Sequence, residues 1–284
     1  MIKAYYYLAK PGIIYGNLIT TIAGFLLSSK NSHFDSKLFL LTLFGLSLII
    51  GSGCVFNNLA DINLDARMDR TKNRALVTGK ISKTAAFIYA VILLILGLIV
   101  LSYVNQLTLY IALIGFVVYV LIYTPLKPQS HYATLVGSIA GAVPPVVGYT
   151  AVVNRFDLGA LLLFLVLVSW QMPHFYSIAI RRQKEYEAAN VPVLSLQKGI
   201  NTTKIHILVY IIIFIVTTAL LKFFGFASWI YLIAILILGL YWLSLSIRGF
   251  TVADNVVWAR KMFLVSLTVL LVFSIAISLD SLIH

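Results

Sequence analysis

The chain has 284 residues, of which 61% are hydrophobic and only 11% are charged. A soluble domain carries roughly 25% charged residues, and a chain this apolar has too few polar side chains to cover one core. The composition therefore predicts an all-α membrane protein. The single cysteine excludes an internal disulfide and a Cys-x-x-Cys site. The net charge of +12 does not indicate nucleic-acid binding, because the basic residues lie in short connections between apolar runs.

Apolar runs of the length needed to cross a bilayer, about 20 residues, follow one another along the whole chain. They cover residues 11–29, 38–58, 84–103, 107–125, 132–153, 158–180, 205–222, 227–247 and 262–280. The uncharged stretch from Thr84 to Leu126 is too long for one helix, so we divide it at a tight hairpin near Asn105 and Gln106. The sequence thus predicts nine transmembrane helices around a central cavity, in a single domain over residues 1–284.

The distribution of basic residues orients these helices. With the N-terminus in the cytoplasm, 17 of the 21 lysines and arginines lie on the cytoplasmic side, and the outer ones are Lys30, Lys37, Arg155 and Lys222. The N-terminus is therefore predicted to be cytoplasmic and the C-terminus outside. The two longest polar connections, 59–83 and 181–204, are then both cytoplasmic. Since the other loops are minimal, these two are expected to carry the function.

Acidic residues recur at intervals of four at the end of the second apolar run. Asn57, Asp61, Asp65 and Asp69 would stack on one face of a helix, each about 6 Å further along its axis. Like charges at this spacing repel one another unless a cation lies between them. Oxygen ligands favour Mg²⁺ or Mn²⁺ over zinc. Asn57, Asp61 and Asp65 are therefore predicted to bind Mg²⁺, and Asp61 and Asp65 to be catalytic.

Basic residues follow these acids directly. Arg70, Lys72 and Arg74 are expected to bind phosphate oxygens that the metal leaves free, and Arg74 is also a candidate catalytic residue. Acids, metal and bases together indicate a diphosphate site, although solvated loop charges are an alternative for the acids. A calcium-binding EF-hand is excluded, because Ala66 and Lys72 stand where Gly and Glu are required. The sequence has no G-x-x-x-x-G-K motif, which argues against a nucleotide as the phosphate donor.

Several motifs together resemble a known family. The N-x-x-x-D-x-x-x-D pattern after the second of nine helices resembles the intramembrane aromatic prenyltransferase superfamily. The segments KPGIIYGNLITTIAGFLL, RTKNRALVTGKIS, GSIAGAVPPVVGY and WQMPHFYSIAI resemble its protohaem IX farnesyltransferase (haem O synthase) branch. The similarity runs from about Lys10 to Lys261. Three positions depart from that branch: Asn63 and Glu185 stand where aspartate is common, and Ala75 stands where proline is usual.

The resemblance implies a reaction and a location. The farnesyl group of farnesyl diphosphate would be transferred to a vinyl group of haem b with addition of water, which gives haem O and diphosphate. The enzyme would lie in the cell inner membrane with its active site facing the cytoplasm. Glu185 would contribute to substrate binding. Association with haem-pathway or terminal-oxidase assembly proteins is also expected.

Other side chains in the apolar runs are candidates for substrate contact. His174 follows Pro173 in an uncharged run, and polar residues inside membrane helices are usually functional. With the resemblance, His174 is predicted to contact haem, and the alternative is a histidine that bonds across helices. Tyr119, Tyr123 and Tyr149 would stabilise an allylic cation or serve only in packing. The stretch 137–149, with its two prolines, would form either a packing seam or a substrate channel.

Two other functions fit part of the pattern. The first is a prenyltransferase that acts on a quinone precursor. Such enzymes share the first acidic motif but usually carry a second pair of aspartates in the later loop, where this chain has Glu185 and Glu187. The second is a cation transporter. A transporter would place acids near the middle of the bilayer and have related halves, whereas the acids here cluster after one helix and no repeat is visible.

Overall fold

The computed structural model describes residues 1–30 and 34–283, and within them it contains helices and no strand. Nine helices of the described chain are long and apolar enough to cross a membrane. They are α1 (Pro11–Ser29), α2 (Ser36–Ala60), α3 (Lys83–Ser102), α4 (Gln106–Leu126), α5 (Ala133–Val153), α6 (Leu158–Arg181), α7 (Ile200–Phe223), α8 (Trp229–Thr251) and α9 (Asn255–Ile283). The nine predicted spans are confirmed, and the chain is a multi-pass membrane protein.

Consecutive helices pack side by side, and α9 packs against α1, so the bundle forms a closed ring. The second half of α5 also packs closely on α1. Gly24 and Gly148 permit this approach, because a Cβ at Gly24 would collide with the carbonyl of Pro145, and one at Gly148 with the carbonyl of Thr21. Within the stretch 137–149, this contact favours the packing seam over the substrate channel for the part that follows Ala142.

Side chains at the start of several helices accept hydrogen bonds from first-turn N–H groups and so fix where these helices begin. At the predicted hairpin, Asn105 Oδ1 accepts a hydrogen bond from the Thr108 N–H at 2.8 Å, which confirms the division of the long uncharged stretch. The other capping residues are Asp35 for α2, Ser82 for α3, Asp157 for α6 and Ser228 for α8.

Two of the spanning helices are irregular. In α4, residues Val118–Tyr123 form a π-helical segment immediately before Pro125. Such segments occur often at functional sites. The α5 helix is interrupted at Ala142, just before the adjacent prolines 144 and 145, which have no N–H to continue the hydrogen-bond ladder.

The two long connections lie at the same end of the bundle, which we call the loop end. The α2–α3 connection, residues 61–82, contains a short helix, Ile62–Asp65. The α6–α7 connection, residues 182–199, contains the helices Gln183–Ala188 and Leu194–Gln197. Met68 of the first connection packs against Ala189 and Val191 of the second in one apolar cluster. The N-terminal helix Ile2–Leu8 also lies at the loop end, because Asn58 near the end of α2 donates a hydrogen bond to the Leu8 carbonyl at 2.8 Å.

Candidate active site

The predicted stack of polar residues forms at the loop end of α2. The Asp61 N–H donates to the Asn57 carbonyl at 2.9 Å, and the Asp65 N–H donates to the Asp61 carbonyl at 2.7 Å. This i to i+4 pattern places the three residues one above another, and all three are buried. The short helix ends at Asp65, so Asp69 leaves the stack and is exposed at the surface.

Each buried carboxylate of the stack binds one cationic side chain. Asp61 Oδ2 accepts a hydrogen bond from Lys127 Nζ at 2.6 Å, and Asp65 Oδ2 accepts one from Arg74 Nη1 at 2.6 Å. Lys127 follows the end of α4, whereas Arg74 belongs to the same connection as Asp65. A buried carboxylate is expensive unless it is paired. The stack is therefore a site where negative charge is concentrated and balanced by Lys127 and Arg74.

A third cation, Lys10, lies against the top of the stack. Its Nζ donates to Asn57 Oδ1 at 2.7 Å, and the Asn57 amide donates to Thr124 Oγ1 at 3.1 Å. Lys10 has a φ of 54°, a left-handed backbone conformation that costs a residue with a Cβ on the order of 1–3 kcal/mol. Burial lowers the pKa of Lys10 to about 8, and the charges of Arg74 and Lys127 act in the same direction. Such strain and a shifted pKa are typical of functional positions.

Asn58 joins the stack to the N-terminal segment. It is buried, its amide donates to the Leu8 carbonyl, and its Oδ1 accepts a hydrogen bond from Arg74 Nη1 at 3.0 Å. Arg74 is thereby held between Asp65 and Asn58. The asparagine doublet at 57 and 58 is the only sequence signal for this role, and the predicted site contained only its first member.

The predicted phosphate-binding bases occupy two different surroundings. Arg74 contacts the stack directly. Lys72 is exposed and donates to Asp69 Oδ1 at 2.7 Å, which lowers the pKa of that carboxyl group. Arg70 is exposed at the edge of a groove that also contains Arg74. The cations that contact the stack also include Lys10 and Lys127, which were not among the predicted site residues.

Two of the three predicted aromatic side chains lie beside the stack. Tyr119 and Tyr123 stack with ring centroids 5.4 Å apart and an interplanar angle of 14°. Both lie on the π-helical segment of α4, and Tyr119 packs against Gly53 of α2, one turn before Asn57. Tyr149 lies at the opposite end of the bundle, where its hydroxyl donates to Asp157 Oδ2 at 3.2 Å.

His174 occupies an aromatic environment between α6 and α9. Its Nδ1 is 2.8 Å from Ser266 Oγ, so the hydrogen bond orients the ring through this nitrogen. The ring stacks on Trp170 with centroids 4.9 Å apart and lies 5.0 Å from the Phe263 ring. The Trp170 indole in turn donates to the Ser266 carbonyl at 2.7 Å. The rings of Trp170 and Phe263 therefore flank an imidazole whose orientation is fixed by Ser266.

The second connection reaches the same end of the site. Tyr186 packs against the apolar cluster that joins the two connections, and burial raises the pKa of its hydroxyl. Glu185 Oε1 accepts a hydrogen bond from Arg182 Nη1 at 2.8 Å. Glu185 is thus paired within its own helical turn, near but outside the buried stack.

The donor atoms of the stack suit a hard divalent cation. Within the described residues no group of three or more His, Cys, Asp or Glu side chains converges as a metal site, so the stack offers two carboxylates and one amide. Mg²⁺ typically takes one or two carboxylates and fills its other positions with water and phosphate oxygens, whereas zinc prefers Cys and His ligands. Asn57, Asp61 and Asp65 therefore fit Mg²⁺ that arrives with a diphosphate.

Comparisons with known proteins agree with this geometry. A family model described as the UbiA prenyltransferase family matches residues 17–268. The chain belongs to this family. A curated Protochlamydia amoebophila protein named protoheme IX farnesyltransferase is 52% identical over 281 residues, 99% of each chain. A protein of the same name from Yersinia enterocolitica is 50% identical over 283 residues, 99% of this chain and 95% of that one. The predicted superfamily is confirmed, and the chain is a prenyltransferase.

Solved structures share the fold. A digeranylgeranylglyceryl phosphate synthase structure has a TM-score of 0.85 at 20% sequence identity and covers 100% of this chain and 99% of that one. A UbiA homologue from Archaeoglobus fulgidus, bound to GPP and Mg²⁺, has a TM-score of 0.67 at 17% identity, over 96% and 99% of the two chains. At these identities the likeness establishes the all-helical architecture.

Proposed function

We propose that this prenyltransferase joins the farnesyl group of farnesyl diphosphate to a vinyl group of haem b, with addition of water, and releases haem O and diphosphate. The observation that carries the proposal is the buried stack of Asn57, Asp61 and Asp65, surrounded by Lys10, Arg74 and Lys127. The choice of farnesyl and haem is supported by the curated relatives at about 50% identity.

The stack and its cations would handle the charge of the diphosphate. Bound Mg²⁺, held by Asn57, Asp61 and Asp65, would supply Lewis-acid stabilisation of the diphosphate oxygens. Lys127 and Arg74 each have a carboxylate partner in the structure. If Asp61 and Asp65 held the metal instead, Lys127 and Arg74 would be available for phosphate oxygens. Lys10 adds a third positive charge from the end of α1. Arg70, Lys72 and Glu185 are proposed as outer substrate contacts.

The transfer step would take place above the stacked tyrosines. The C1–O bond of farnesyl diphosphate breaks, and its electron pair stays on the diphosphate. The π electrons of the vinyl group form the new bond to C1. Positive charge then lies on the vinyl carbon next to the macrocycle, where a water molecule adds and loses a proton. The faces of Tyr119 and Tyr123 would stabilise the allylic cation and shield it from early hydrolysis.

The surface around His174 is proposed to bind haem. Trp170 and Phe263 provide flat apolar contacts for a planar macrocycle. Ser266 engages Nδ1, so Nε2 on the other side of the ring is the nitrogen that would contact haem. A neutral imidazole is a common iron ligand.

The orientation in the membrane belongs to the same proposal. The loop end would face the cytoplasm, with the N-terminus on that side, the C-terminus outside, and residues 1–284 forming one domain in the cell inner membrane. The positive-inside rule supports this orientation. In a Cys54→Ala background, an introduced Thr78→Cys should resist an impermeant thiol reagent in intact cells and react once the cells are opened. Labelling of this cysteine in intact cells would show that the loop end faces outside, which contradicts the proposed orientation.

The acceptor can be tested directly. Purified protein is incubated with farnesyl diphosphate, Mg²⁺ and haem b, or with an aromatic quinone precursor instead of haem, and the extracted products are analysed by mass spectrometry. We expect haem whose mass has increased by one farnesyl group plus one hydroxyl group, because the added water loses a proton. Prenylation of the quinone precursor with unchanged haem would contradict the proposal. Association with haem-pathway or terminal-oxidase assembly proteins stays a prediction.

A further inference from the structure

A basic groove lies at the loop end beside the stack. It runs between the N-terminal helix Ile2–Leu8 and the segment after Asp69, with a volume of about 580 Å³. Four cationic side chains line it together with two amides; they are Lys3, Arg70, Arg74 and Lys80, with Asn58 and Asn73. None of its lining residues in the described part of the chain is acidic.

The charge of this groove differs from that of its surroundings. At the loop end Lys72 pairs with Asp69 and Arg182 pairs with Glu185, whereas Lys3, Arg70 and Lys80 of the groove have no acidic partner among the described residues. Arg74 is already paired with Asp65, but the other three cations around the concavity have no carboxylate partner and repel one another, and a bound anion removes that cost. The three segments that supply them are far apart in the chain or separated by turns, so folding itself brings these charges together.

Arg74 connects the groove to the stack. One nitrogen of its guanidinium group, Nη1, bonds both Asp65 Oδ2 and Asn58 Oδ1. A guanidinium group has five N–H donors, so further donors are available on the groove side. An anion that leaves the stack can therefore pass to the groove without losing contact with Arg74.

We propose that this groove is a second anion site, which binds phosphate groups without a metal ion. In the reaction it would receive the diphosphate product after the C–O bond has broken. That role depends on the proposed function, but the binding itself does not. Two sources offer the same chemistry, free diphosphate and the headgroup of an anionic lipid. The lipid is a candidate because Tyr7, at the groove wall, is exposed on the N-terminal helix Ile2–Leu8, which is rich in tyrosine, a residue enriched at membrane interfaces.

Metal dependence separates the groove from the stack. The full-length protein is placed in phosphatidylcholine nanodiscs with excess EDTA, and binding of inorganic diphosphate is measured by calorimetry. The test variant is Lys3→Ala/Lys80→Ala, which leaves the stack untouched. The matched control is Arg248→Ala/Arg260→Ala, which removes two exposed bases from the ends of α8 and α9. Asp61→Asn tests whether the binding belongs to the stack.

We expect metal-independent binding that falls roughly tenfold in Lys3→Ala/Lys80→Ala and is unchanged in the control and in Asp61→Asn. Repeating the titration in phosphatidylglycerol nanodiscs identifies the source. If phosphatidylglycerol weakens diphosphate binding by the wild type but not by Lys3→Ala/Lys80→Ala, the groove binds lipid headgroups. If phosphatidylglycerol has no effect, the groove binds free diphosphate. No binding in EDTA, equal binding by the double variant, or loss of binding in Asp61→Asn would overturn the proposal. If the groove binds diphosphate as expected but the purified protein does not farnesylate haem b, the proposed reaction is wrong and the anion site stands.

Discussion

The aspartates at the two ends of the bundle have different partners. At the end opposite the loops, Asp35 accepts a hydrogen bond from the Leu38 N–H, Asp157 from the N–H groups that begin α6, and Asp280 from the Ser228 N–H. Asp157 and Asp280 also pair with Arg155 and Lys30. At the loop end, the hydrogen bonds that the described residues make to the side chains of Asp61 and Asp65 come from Lys127 and Arg74 and from no backbone N–H. A carboxylate that satisfies backbone N–H groups is already committed to the fold. One that is held only by lysine or arginine can exchange that partner for a metal ion, and this difference distinguishes the structural acids from those that we propose to be catalytic.

The largest effect is expected from neutralising the stack. Asp61→Asn or Asp65→Asn should lower turnover by roughly a thousandfold, because the site loses charge that stabilises the bound metal and leaving group. Haem product formed per minute by purified protein is the measurement. Asn63→Ala is the control, since Asn63 is exposed and lies off the stack. Activity of either aspartate variant that stays near normal would show that these acids are not metal ligands.

Removing Arg74 should affect only one substrate. Arg74→Ala is expected to weaken farnesyl diphosphate binding by roughly 10- to 150-fold, the equivalent of one charge-assisted hydrogen bond, about 1.5–3 kcal/mol. Haem affinity should barely change. Equilibrium binding of each substrate separates the two outcomes, and Arg67→Ala, an exposed base in the same connection, is the matched control. Equal losses for both substrates would indicate a general disturbance of the loop end.

Removing the His174 imidazole should have the opposite selectivity. His174→Ala is expected to reduce haem affinity by roughly tenfold and to leave farnesyl diphosphate affinity unchanged, because the imidazole lies among Trp170, Phe263 and Ser266. If Nε2 ligates iron, the visible absorption of bound haem will also shift. His131→Ala is the control. Unchanged haem affinity in His174→Ala would leave this side chain as a contact between α6 and α9.

Lys10 should give the site a pH dependence. Its pKa is lowered to about 8 by burial, so the free enzyme loses this positive charge as pH rises through 8. Bound diphosphate favours the protonated form, and kcat/KM for farnesyl diphosphate should therefore fall above pH 8, by at most about tenfold per pH unit. Lys10→Arg keeps its positive charge, so its kcat/KM should not fall as pH rises above 8. An equal fall of kcat/KM in Lys10→Arg would show that another group causes the pH dependence.

The smallest effect on activity is expected at the opposite end of the bundle. Asp157→Ala removes the acceptor for the Gly159 and Ala160 N–H groups, and loss of such a helix cap costs about 0.5–2 kcal/mol of stability. The thermal midpoint should fall, while the folded fraction keeps its specific activity. A large loss of specific activity in folded Asp157→Ala would remove the distinction between capping and catalytic aspartates.

The sequence predicted the parts of the molecule that depend on local pattern. The nine spans follow from apolar length, and the stack of Asn57, Asp61 and Asp65 follows from a spacing of four residues. The partners of the stack depend on tertiary contacts. Lys10 meets Asn57 across 47 positions of sequence, and Lys127 meets Asp61 across 66. Nothing in the local sequence of Lys127 distinguishes it from other basic residues at the ends of membrane helices, and Lys10 stands out only as the first residue of a segment that carries the family resemblance.

The course of the chain after Asp65 shows a second limit of local pattern. A spacing of four predicted that Asp69 would continue the stack, but the helix ends at Asp65 and Thr71 Oγ1 donates to the Asp65 carbonyl at 2.9 Å. The turn carries Asp69 and Lys72 to the surface and returns Arg74 to the stack. The π-helical segment of α4 is likewise invisible to periodicity, because its sequence continues an ordinary apolar run.

The most direct test is to measure the binding of farnesyl diphosphate as a function of Mg²⁺ concentration in wild type, Asp61→Asn and Asp157→Asn. We predict that wild type and Asp157→Asn bind more tightly as Mg²⁺ is added, and that Asp61→Asn shows no such increase. A magnesium response in Asp61→Asn equal to that of wild type would contradict the assignment of the buried stack as the site of metal and diphosphate.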